Sequence, residues 1–251
     1  ISGDSIAEQR GIRDPHIYRG PDGGFYLAMT DLHIYAKRAG YRQTEWERDG
    51  NKYGWGNNRG LVLMKSFDLI HWTRANIDFT KLGGEWTDVG CVWAPETIYD
   101  DETGRMMIYF TVRFGTGTNW LCYAYTNDDF TQLTSVPQTL FHAPDYKYTV
   151  IDGDIIKHGD TYHLHYVSHE HGATVKHATS KHLTYGYELD ENYNDGETRG
   201  HEAPNAWKRI GKDTWVVMYD VYGIQPHNFG FTETKDFVDY TPIGRFNEGQ
   251  M

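Results

Sequence analysis

The sequence predicts an all-β fold of the β-propeller class, and two repeated patterns carry this prediction. The first is a short strand, a tight turn and a second strand, which occurs four times along the chain. The second is a polar and aromatic motif that closes each of the four units. Repeats of roughly 50 residues with about four short strands each are typical of propeller blades.

The first copy of the strand pair lies between Gly11 and Asp31. A strand is predicted from His16 to Arg19 and a second from Phe25 to Thr30, because both are rich in β-branched and aromatic residues and flank a Gly-Pro-Asp-Gly-Gly turn. The residue before the first strand is Pro15, which cannot donate to a β-ladder and therefore marks a strand start. Its neighbour Asp14 is thus expected just before the strand, at an end of the sheet.

The other three copies contain Trp93-Ala-Pro-Glu, Ile151-Asp-Gly-Asp and His201-Glu-Ala-Pro. When the four units are aligned, one position is occupied in turn by Asp14, Ala94, Asp152 and Ala203. Glu202 is the direct neighbour of Ala203. The closing motifs begin at Ser66, Asn127, Ser180 and Thr234.

The aligned carboxylates are the candidate site. The innermost strands of a propeller line a central channel, so we expect Asp14, Asp152 and Glu202 to converge on one pocket at its mouth. Carboxylates gathered in a cleft repel one another, and this separates their proton affinities as paired acid and base chemistry requires.

Composition limits the function classes. The chain has 251 residues, of which 39% are hydrophobic, and this is enough for a single all-β domain over residues 1–251. Because the first unit begins abruptly and no closing strand follows the fourth, material is expected to be missing at both ends. The net charge of -11 argues against nucleic acid or an anionic membrane as a partner. No apolar run approaches the roughly 18–20 residues of a membrane span. Aromatic residues make up 15% of the chain, which suits a surface that faces sugars.

Three further features are an insertion, a pair of cysteines and a group of histidines. A polar and aromatic insertion from Ala36 to Gly60 is too long for a hairpin turn, and it is expected to form a wall of the site or else a mobile loop. Two cysteines, Cys91 and Cys122, are either free core thiols or one bridge. A group of histidines allows a zinc site, but no cysteine or carboxylate pattern completes it, so strand packing is favoured. These histidines are His163, His165, His169 and His171.

The motifs Arg13-Asp14-Pro15, Trp93-Ala-Pro-Glu96, Ile151-Asp152-Gly153 and Glu202-Ala-Pro204, in this order, resemble glycoside hydrolase family 43. The resemblance covers nearly the whole chain. It implies a five-bladed propeller, with about four blades visible in this chain and the fifth incomplete. It also implies hydrolysis of arabinofuranosides, xylosides or related linkages with inversion, and a secreted or periplasmic bacterial location.

Carried over by position, the resemblance makes Asp14 the general base and Glu202 the general acid. It makes Asp152 the residue that tunes and orients the acid, with Asp154 as a rival for that role. Trp93 would line the sugar site. Arg13 and Trp55 are further candidates for substrate binding. The resemblance requires no cofactor and no catalytic metal, although a structural calcium in the central channel is allowed. Gly153 departs from the family, which often has proline there.

The sequence therefore predicts an exo-acting, inverting glycosidase that acts on plant polysaccharide as an α-L-arabinofuranosidase or β-xylosidase. One alternative is a retaining fructosidase-like enzyme, although its Asn-Asp-Pro-Asn-Gly nucleophile motif has no counterpart here. A propeller that only binds sugars is a second alternative. A glycoside phosphorylase is a third, and it would need a basic phosphate pocket where these positions are acidic.

Overall fold

The computed structural model of the chain describes residues 2–40, 44–170 and 172–246. Strands dominate these ranges, and helical segments are short. The strands are β1 (Ile12–Arg19), β2 (Phe25–Asp31), β3 (Gly60–Ser66), β4 (Thr73–Asp78), β5 (Val89–Asp100), β6 (Arg105–Phe114), β7 (Trp120–Tyr125), β8 (Gln138–Phe141), β9 (Val150–His158), β10 (Thr161–Ser168), β11 (Thr174–Ser180), β12 (Glu188–Leu189), β13 (Glu202–Lys208), β14 (Trp215–Val221), β15 (Asn228–Thr234) and β16 (Tyr240–Arg245). The helices are α1 (Gly3–Ile6), α2 (Ile34–Arg38) and α3 (Gly50–Tyr53), with 3₁₀ turns at Phe79–Leu82, Gly84–Asp88 and Pro144–Tyr146.

The strands form four antiparallel sheets in which chain neighbours pair in order, namely β1 to β4, β5 to β8, β9 to β12 and β13 to β16. We call these sheets blades 1 to 4. The predicted all-β propeller with four visible blades is confirmed, and the fifth blade stays a prediction. The chain falls into two compact units on either side of the Lys147–Tyr148 bond. Blades 1 and 2 belong to unit 1, and blades 3 and 4 belong to unit 2.

The second strand of a blade is its most buried element. Every residue of β2 after Phe25 is buried, and β6 and β10 are buried along almost their whole length. By contrast, β1 and β4 expose much of their surface. A strand covered on both faces carries a near-continuous apolar run, as the second strands do here.

Aromatic and aliphatic side chains pack blade 1 against blade 2 inside unit 1. Leu61 and Leu63 of β3 lie in one buried cluster with Ile108 and Phe110 of β6. The Phe79 ring meets Phe110 edge-on, with centroids 4.9 Å apart. This apolar layer fixes the first strands of both blades relative to each other.

Unit 2 is packed partly by histidines. His163 and His165 of β10 stack against His177 of β11, with ring centroids 5.2 Å and 4.9 Å apart, and Phe237 covers His163 at 4.2 Å. His177 Nδ1 lies 3.0 Å from Asp190 Oδ2. Burial lowers the pKa of all three imidazoles, so they are neutral packing groups at neutral pH. The packing interpretation is therefore favoured.

Of the remaining histidines in that group, only His169 can be described. His169 is exposed, and His171 lies outside the described residues. Within the ranges that the structure describes, no group of three or more histidine, cysteine, aspartate or glutamate side chains could hold a metal ion.

The closing motifs also recur as structure. In blade 1, Ser66 Oγ accepts hydrogen bonds from the amides of Asp68 and Leu69, and in blade 4 Thr234 Oγ1 accepts from those of Asp236 and Phe237. Leu69 and Phe237 both have positive φ values, 63° and 61°. In these tight turns the hydroxyl accepts hydrogen bonds from backbone amides that have no partner in the β-ladder, as serine and threonine side chains commonly do.

The structure also shows the state of the two cysteines and the nature of the helices. Cys91 and Cys122 are both buried and free, so the bridge is excluded. Burial raises the pKa of each thiol to about 12. Among the described residues, no helix has the length and apolar character needed to cross a membrane.

Candidate active site

The first strand of every blade contains the same β-bulge. Two residues of the strand oppose one residue of its neighbour between Arg13 and His16, Trp93 and Glu96, Ile151 and Asp154, and Glu202 and Asn205. The first bulged residue has a positive φ in each blade, namely Asp14 (50°), Ala94 (43°), Asp152 (53°) and Ala203 (52°). Positive φ in a residue other than glycine costs about 1–3 kcal/mol and is found mainly where the surrounding structure enforces it.

These bulges correct one expectation. Asp14 does not precede the first strand, because β1 already begins at Ile12 and Asp14 lies inside it. The second bulged residue is Pro15, Pro95 or Pro204, and Gly153 in blade 3. A bulge leaves this residue without a ladder partner, so proline is tolerated in the strand interior there. The bulge turns the first carboxylate out of the regular alternation of the strand.

Asp14 is exposed and is held by Thr30 of the adjacent strand. Thr30 Oγ1 donates to Asp14 Oδ2 at 2.7 Å and accepts from the Ala94 amide at 2.9 Å. Thr30 is fully buried, so blade 2 fixes the hydroxyl proton in the direction of the carboxylate. This arrangement leaves Oδ1 of Asp14 without a donor among the described residues, which suits a group that binds or activates another molecule.

A second hydrogen bond repeats between neighbouring blades. His16 Nδ1 accepts from the Thr97 amide at 3.1 Å in unit 1, and Asp154 Oδ2 accepts from the Ala206 amide at 2.8 Å in unit 2. Burial lowers the pKa of His16 to about 4, which keeps its ring neutral and able to accept. Asp154 is buried and has this structural task. The repeat therefore favours Asp152 over Asp154 as the residue available for chemistry.

Two tryptophans form an aromatic corner in unit 1, by which we mean Trp55 and Trp93. Their ring centroids are 5.9 Å apart and their planes meet at 74°. Trp55 is 64% exposed, whereas Trp93 is half-buried and donates from Nε1 to the Gly56 carbonyl at 2.8 Å. A Cβ at Gly56 would lie 2.7 Å from the Trp93 ring, so only glycine permits this approach. Exposed aromatic faces at such an angle suit contact with a sugar ring.

Arg113 of β6 holds this corner together. One guanidinium nitrogen donates to the carbonyls of Tyr53 and Trp55 at 2.8 Å and 2.9 Å. The guanidinium carbon lies 5.0 Å from the centroid of the Trp93 ring. Arg113 is only 8% exposed, so these contacts act in a poorly solvated environment.

The rest of the insertion is also anchored to blade 2. Arg48 donates to the carbonyls of Val89 and Thr87, and its guanidinium lies 3.8 Å from the Tyr53 ring centroid. Asn58, which is fully buried, accepts from the Val92 amide at 2.7 Å and donates to the Val92 carbonyl at 2.8 Å. These contacts anchor residues 44–58 to unit 1, and their role as a wall of the site stays a prediction. Tyr41, which the sequence placed in the same insertion, lies outside the described residues.

Glu202 begins β13 and is half-buried, and the residue before it is rigidly held. His201 Nδ1 donates to the Arg199 carbonyl at 2.7 Å, and Nε2 donates to Asp195 Oδ2 at 2.9 Å. The two acceptors favour the protonated, positively charged ring, whereas the Val175 amide, 3.3 Å from Nε2, favours the neutral one. Burial disfavours that charge, but the hydrogen bond and charge of Asp195 outweigh it and raise the pKa of His201. This buried pair fixes the start of the strand that carries Glu202.

The predicted site residues can now be located. In unit 1, Arg13 and Asp14 are adjacent and exposed on β1, and Trp93 of β5 contacts Trp55. In unit 2, half-buried Asp152 lies on β9, whose neighbour β13 carries Glu202. The roles assigned to these six residues stay predictions.

Three supporting residues escaped the sequence analysis, namely Thr30, Arg113 and Asp195. Thr30 ends the predicted second strand in the first copy of the repeat, so an alignment extended to that strand would have singled it out. Arg113 and Asp195 act through contacts distant in sequence, which no local pattern reports.

Known proteins are similar to this chain in sequence and in fold. The family model described as "Probable glycosyl hydrolase domain", which is related to glycoside hydrolase family 43, matches residues 4–248. An α-L-arabinofuranosidase from Bifidobacterium longum subsp. longum is 29% identical over 119 residues, which are 44% of this chain and 10% of that protein. This chain thus corresponds to only a small part of that relative.

Solved structures show the same fold at low identity. A thermostable family-43 glycoside hydrolase superposes with a TM-score of 0.62 at 16% identity, over 98% of this chain and 75% of that one. A β-fructofuranosidase from Schwanniomyces occidentalis, complexed with fructosyl-erythritol, gives 0.66 at 14% identity, over 95% and 47%.

Two of the four bulges carry the carboxylates Asp14 and Asp152, and the family model spans almost the entire sequence. The chain belongs to the glycosyl hydrolase domain family related to glycoside hydrolase family 43.

Proposed function

We propose that this chain is the catalytic propeller of an exo-acting, inverting glycoside hydrolase that releases α-L-arabinofuranosyl or β-xylosyl groups from plant polysaccharide. The observation that carries the proposal is the bulge at the same place in all four blades. It holds Asp14 and Asp152 in a strained conformation, and it places Glu202 immediately before the strained Ala203. Strain retained at four equivalent places is typical of a functional requirement.

In the proposed reaction, Glu202 protonates the departing glycosidic oxygen as the C–O bond breaks. Asp14 accepts a proton from the water that attacks the anomeric carbon on the opposite face of the sugar. Asp152 orients Glu202 and favours its protonated form. The reaction is a direct displacement with no covalent sugar intermediate, so the released sugar has the inverted configuration. No cofactor takes part in these steps.

The structure supports Asp14 as a base through its partner. Thr30 donates to one oxygen of Asp14 and thereby fixes the carboxylate plane. A base whose rotation is restricted in this way loses less entropy when it aligns with the attacking water.

The aromatic corner supports carbohydrate as the substrate. Sugar rings present apolar C–H faces, which pack on exposed aromatic side chains. Trp55 offers a largely exposed ring, and Arg113 fixes its backbone. Arg13, exposed beside Asp14, is proposed to donate hydrogen bonds to sugar hydroxyl groups.

The stereochemical test uses a panel of aryl arabinofuranosides, xylosides and galactosides. Proton NMR identifies the first anomer formed from the best substrate, and inversion is expected. Retention would contradict the mechanism and would favour the fructosidase-like alternative. Binding of saccharides without hydrolysis of any glycoside would favour a sugar-binding propeller.

Two substitutions test the proposed roles of Glu202 as general acid and Asp14 as general base. Glu202→Gln is expected to lose about 10²–10⁴-fold in kcat/KM on substrates with a poor leaving group. It should lose much less on activated aryl glycosides, whose leaving group hardly needs a proton. Asp14→Asn should lose activity on both classes, because the water still needs its base. Glu191→Gln, an exposed residue of unit 2, is the matched control and should keep full activity.

A further inference from the structure

His16 lies on the same strand as the proposed base, two residues after it, and the proposed mechanism gives it no task. We propose that His16 is a positioning residue, whose ring holds the bulge of blade 1 against blade 2 and thereby fixes the direction of Asp14. The inference rests on the proposed function for its kinetic consequence, but the conformation of the bulge can be measured without it.

The bulge of blade 1 is tied to β5 at two points. On one side, Thr30 Oγ1 donates to Asp14 and accepts from the Ala94 amide at 2.9 Å. On the other side, His16 Nδ1 accepts from the Thr97 amide at 3.1 Å. The two amides are three residues apart on β5, across the bulge of blade 2. The first contact fixes the carboxylate, and the second fixes the strand that carries it.

The β-ladder alone does not hold this part of the strand. The regular pairs between β1 and β2 stop at Arg13 and resume at His16, opposite Ala28. Between them, Asp14 has a φ of 50°, and Pro15 has no amide hydrogen to donate. A strained φ of this kind persists only where the surrounding structure enforces it. A contact made by the first paired residue after the bulge is therefore well placed to enforce it.

The same contact recurs in unit 2 with the same spacing. In each unit the acceptor lies two residues after the strained residue of its own blade, and the donor amide lies three residues after that of the next blade. In unit 2 the acceptor is Asp154 and the donor is the Ala206 amide. Blade 1 has an imidazole at this place. A carboxylate there would bring a second negative charge close to the proposed base and would disfavour its ionised form.

The contact requires the neutral imidazole in one tautomer. Nδ1 accepts only when its lone pair is free, so the proton of the neutral ring is on Nε2. Burial lowers the pKa of His16 to about 4, so the ring keeps this form at neutral pH. An asparagine side chain offers an acceptor oxygen at a similar distance from the backbone, whereas a phenyl ring offers none. These two side chains therefore separate the acceptor from the ring.

The experiment compares wild type with His16→Phe, His16→Asn and the control His71→Phe. His16→Phe keeps a ring of similar volume and removes the acceptor, and His16→Asn restores an acceptor without the ring. His71 also belongs to blade 1, but its side chain is 87% exposed and contacts only Asp68 among the ion pairs of the described chain. His16→Ala, which adds no volume, takes the place of His16→Phe if that variant does not fold.

Three readouts are taken. The first is hydrogen exchange of the Thr97 amide by NMR, which should accelerate about 5- to 150-fold in His16→Phe because the amide loses its partner. The second is the set of backbone chemical shifts of Asp14, which report its φ. The third is kcat and KM on an aryl glycoside. In His16→Phe, kcat should fall about 10- to 100-fold with little change in KM, because a small displacement of the base costs rate more than binding.

We expect the Asp14 shifts to move in His16→Phe and to return towards wild type in His16→Asn, together with most of the lost kcat. His71→Phe should match wild type in all three readouts. Wild-type Asp14 shifts in His16→Phe, or a loss in His16→Asn as large as that in His16→Phe, would overturn the inference. If wild type hydrolyses no glycoside, the proposed function fails, and the Asp14 shifts still decide whether His16 holds the bulge.

Discussion

Arg113 fixes the aromatic corner, and the loss of local stability expected on its replacement can be calculated from its contacts. Arg113→Gln removes the two short hydrogen bonds to the carbonyls of Tyr53 and Trp55. It also removes the cation above the Trp93 ring. We expect residues 50–58 to open locally more often, while the blade cores stay folded.

Hydrogen bonds to a charged group contribute about 1.5–3 kcal/mol each, so the two bonds contribute about 3–6 kcal/mol. The buried guanidinium carries a desolvation cost that the substitution relieves, and the released carbonyls can reach water. The net loss should be about 2–4 kcal/mol in the free energy of local opening. Since about 1.4 kcal/mol corresponds to a factor of ten, amide exchange in the segment should accelerate about 30- to 1,000-fold.

Hydrogen exchange read by mass spectrometry measures this effect on peptides that cover residues 50–58. Arg113→Lys should fall between wild type and Arg113→Gln, because an ammonium group keeps the charge but cannot reproduce the planar fork of the guanidinium. Arg19→Gln is the control, since exposed Arg19 has a cation–π contact with Phe25 at 5.7 Å.

Kinetics give a second readout of the same change. KM should rise for oligosaccharides that reach Trp55, with little change for small aryl glycosides. Exchange in residues 50–58 that matches wild type in Arg113→Gln would refute this role of Arg113. Equal acceleration in Arg19→Gln would show that the effect comes from lost charge and not from the two carbonyl contacts.

Two further predictions concern the supports of the proposed catalytic groups. Thr30→Val deletes the hydroxyl that donates to Asp14 and leaves the Ala94 amide unsatisfied. It should lower the free energy of unfolding in urea by about 1–3 kcal/mol and should also lower kcat. Thr30→Ser keeps a hydroxyl and should recover most of the stability and most of kcat. The pKa of His201 is higher in the folded than in the unfolded protein, where it is about 6.5. Its pair with Asp195 therefore stabilises the fold fully below that unfolded pKa, and this stabilisation is lost as the pH rises through the folded pKa. His201→Gln should therefore cost about 3–5 kcal/mol at pH 6 and less at pH 9, and an equal cost at both would contradict the charged pair.

The strain in the bulges explains why an enzyme of this kind would repeat one local structure in all its blades. A regular strand would point successive side chains to alternate faces of the sheet. The bulge removes one residue from that alternation and turns Asp14 and Asp152 out of the ladder. In blades 2 and 4 the same place holds Ala94 and Ala203, so the geometry persists where the carboxylate does not.

The sequence could predict the repeat because its signals are local. Turn residues, β-branched runs and proline each act over a few neighbouring positions, and the alignment of Asp14, Ala94, Asp152 and Ala203 required nothing else. The same locality caused the error at the strand start. Pro15 normally ends a ladder, and only the two-against-one pairing opposite Met29 shows that β1 continues through it.

By itself, the sequence determined the all-β class, the four blades, the closing turns and the equivalence of Asp14, Ala94, Asp152 and Ala203 in the repeat, because each depends on short-range conformational preference repeated in register. The tertiary structure alone decided the free state of Cys91 and Cys122, the anchoring of the insertion and the raised pKa of His201. These features depend on burial and on contacts between residues far apart in the chain, and both arise only when the blades pack.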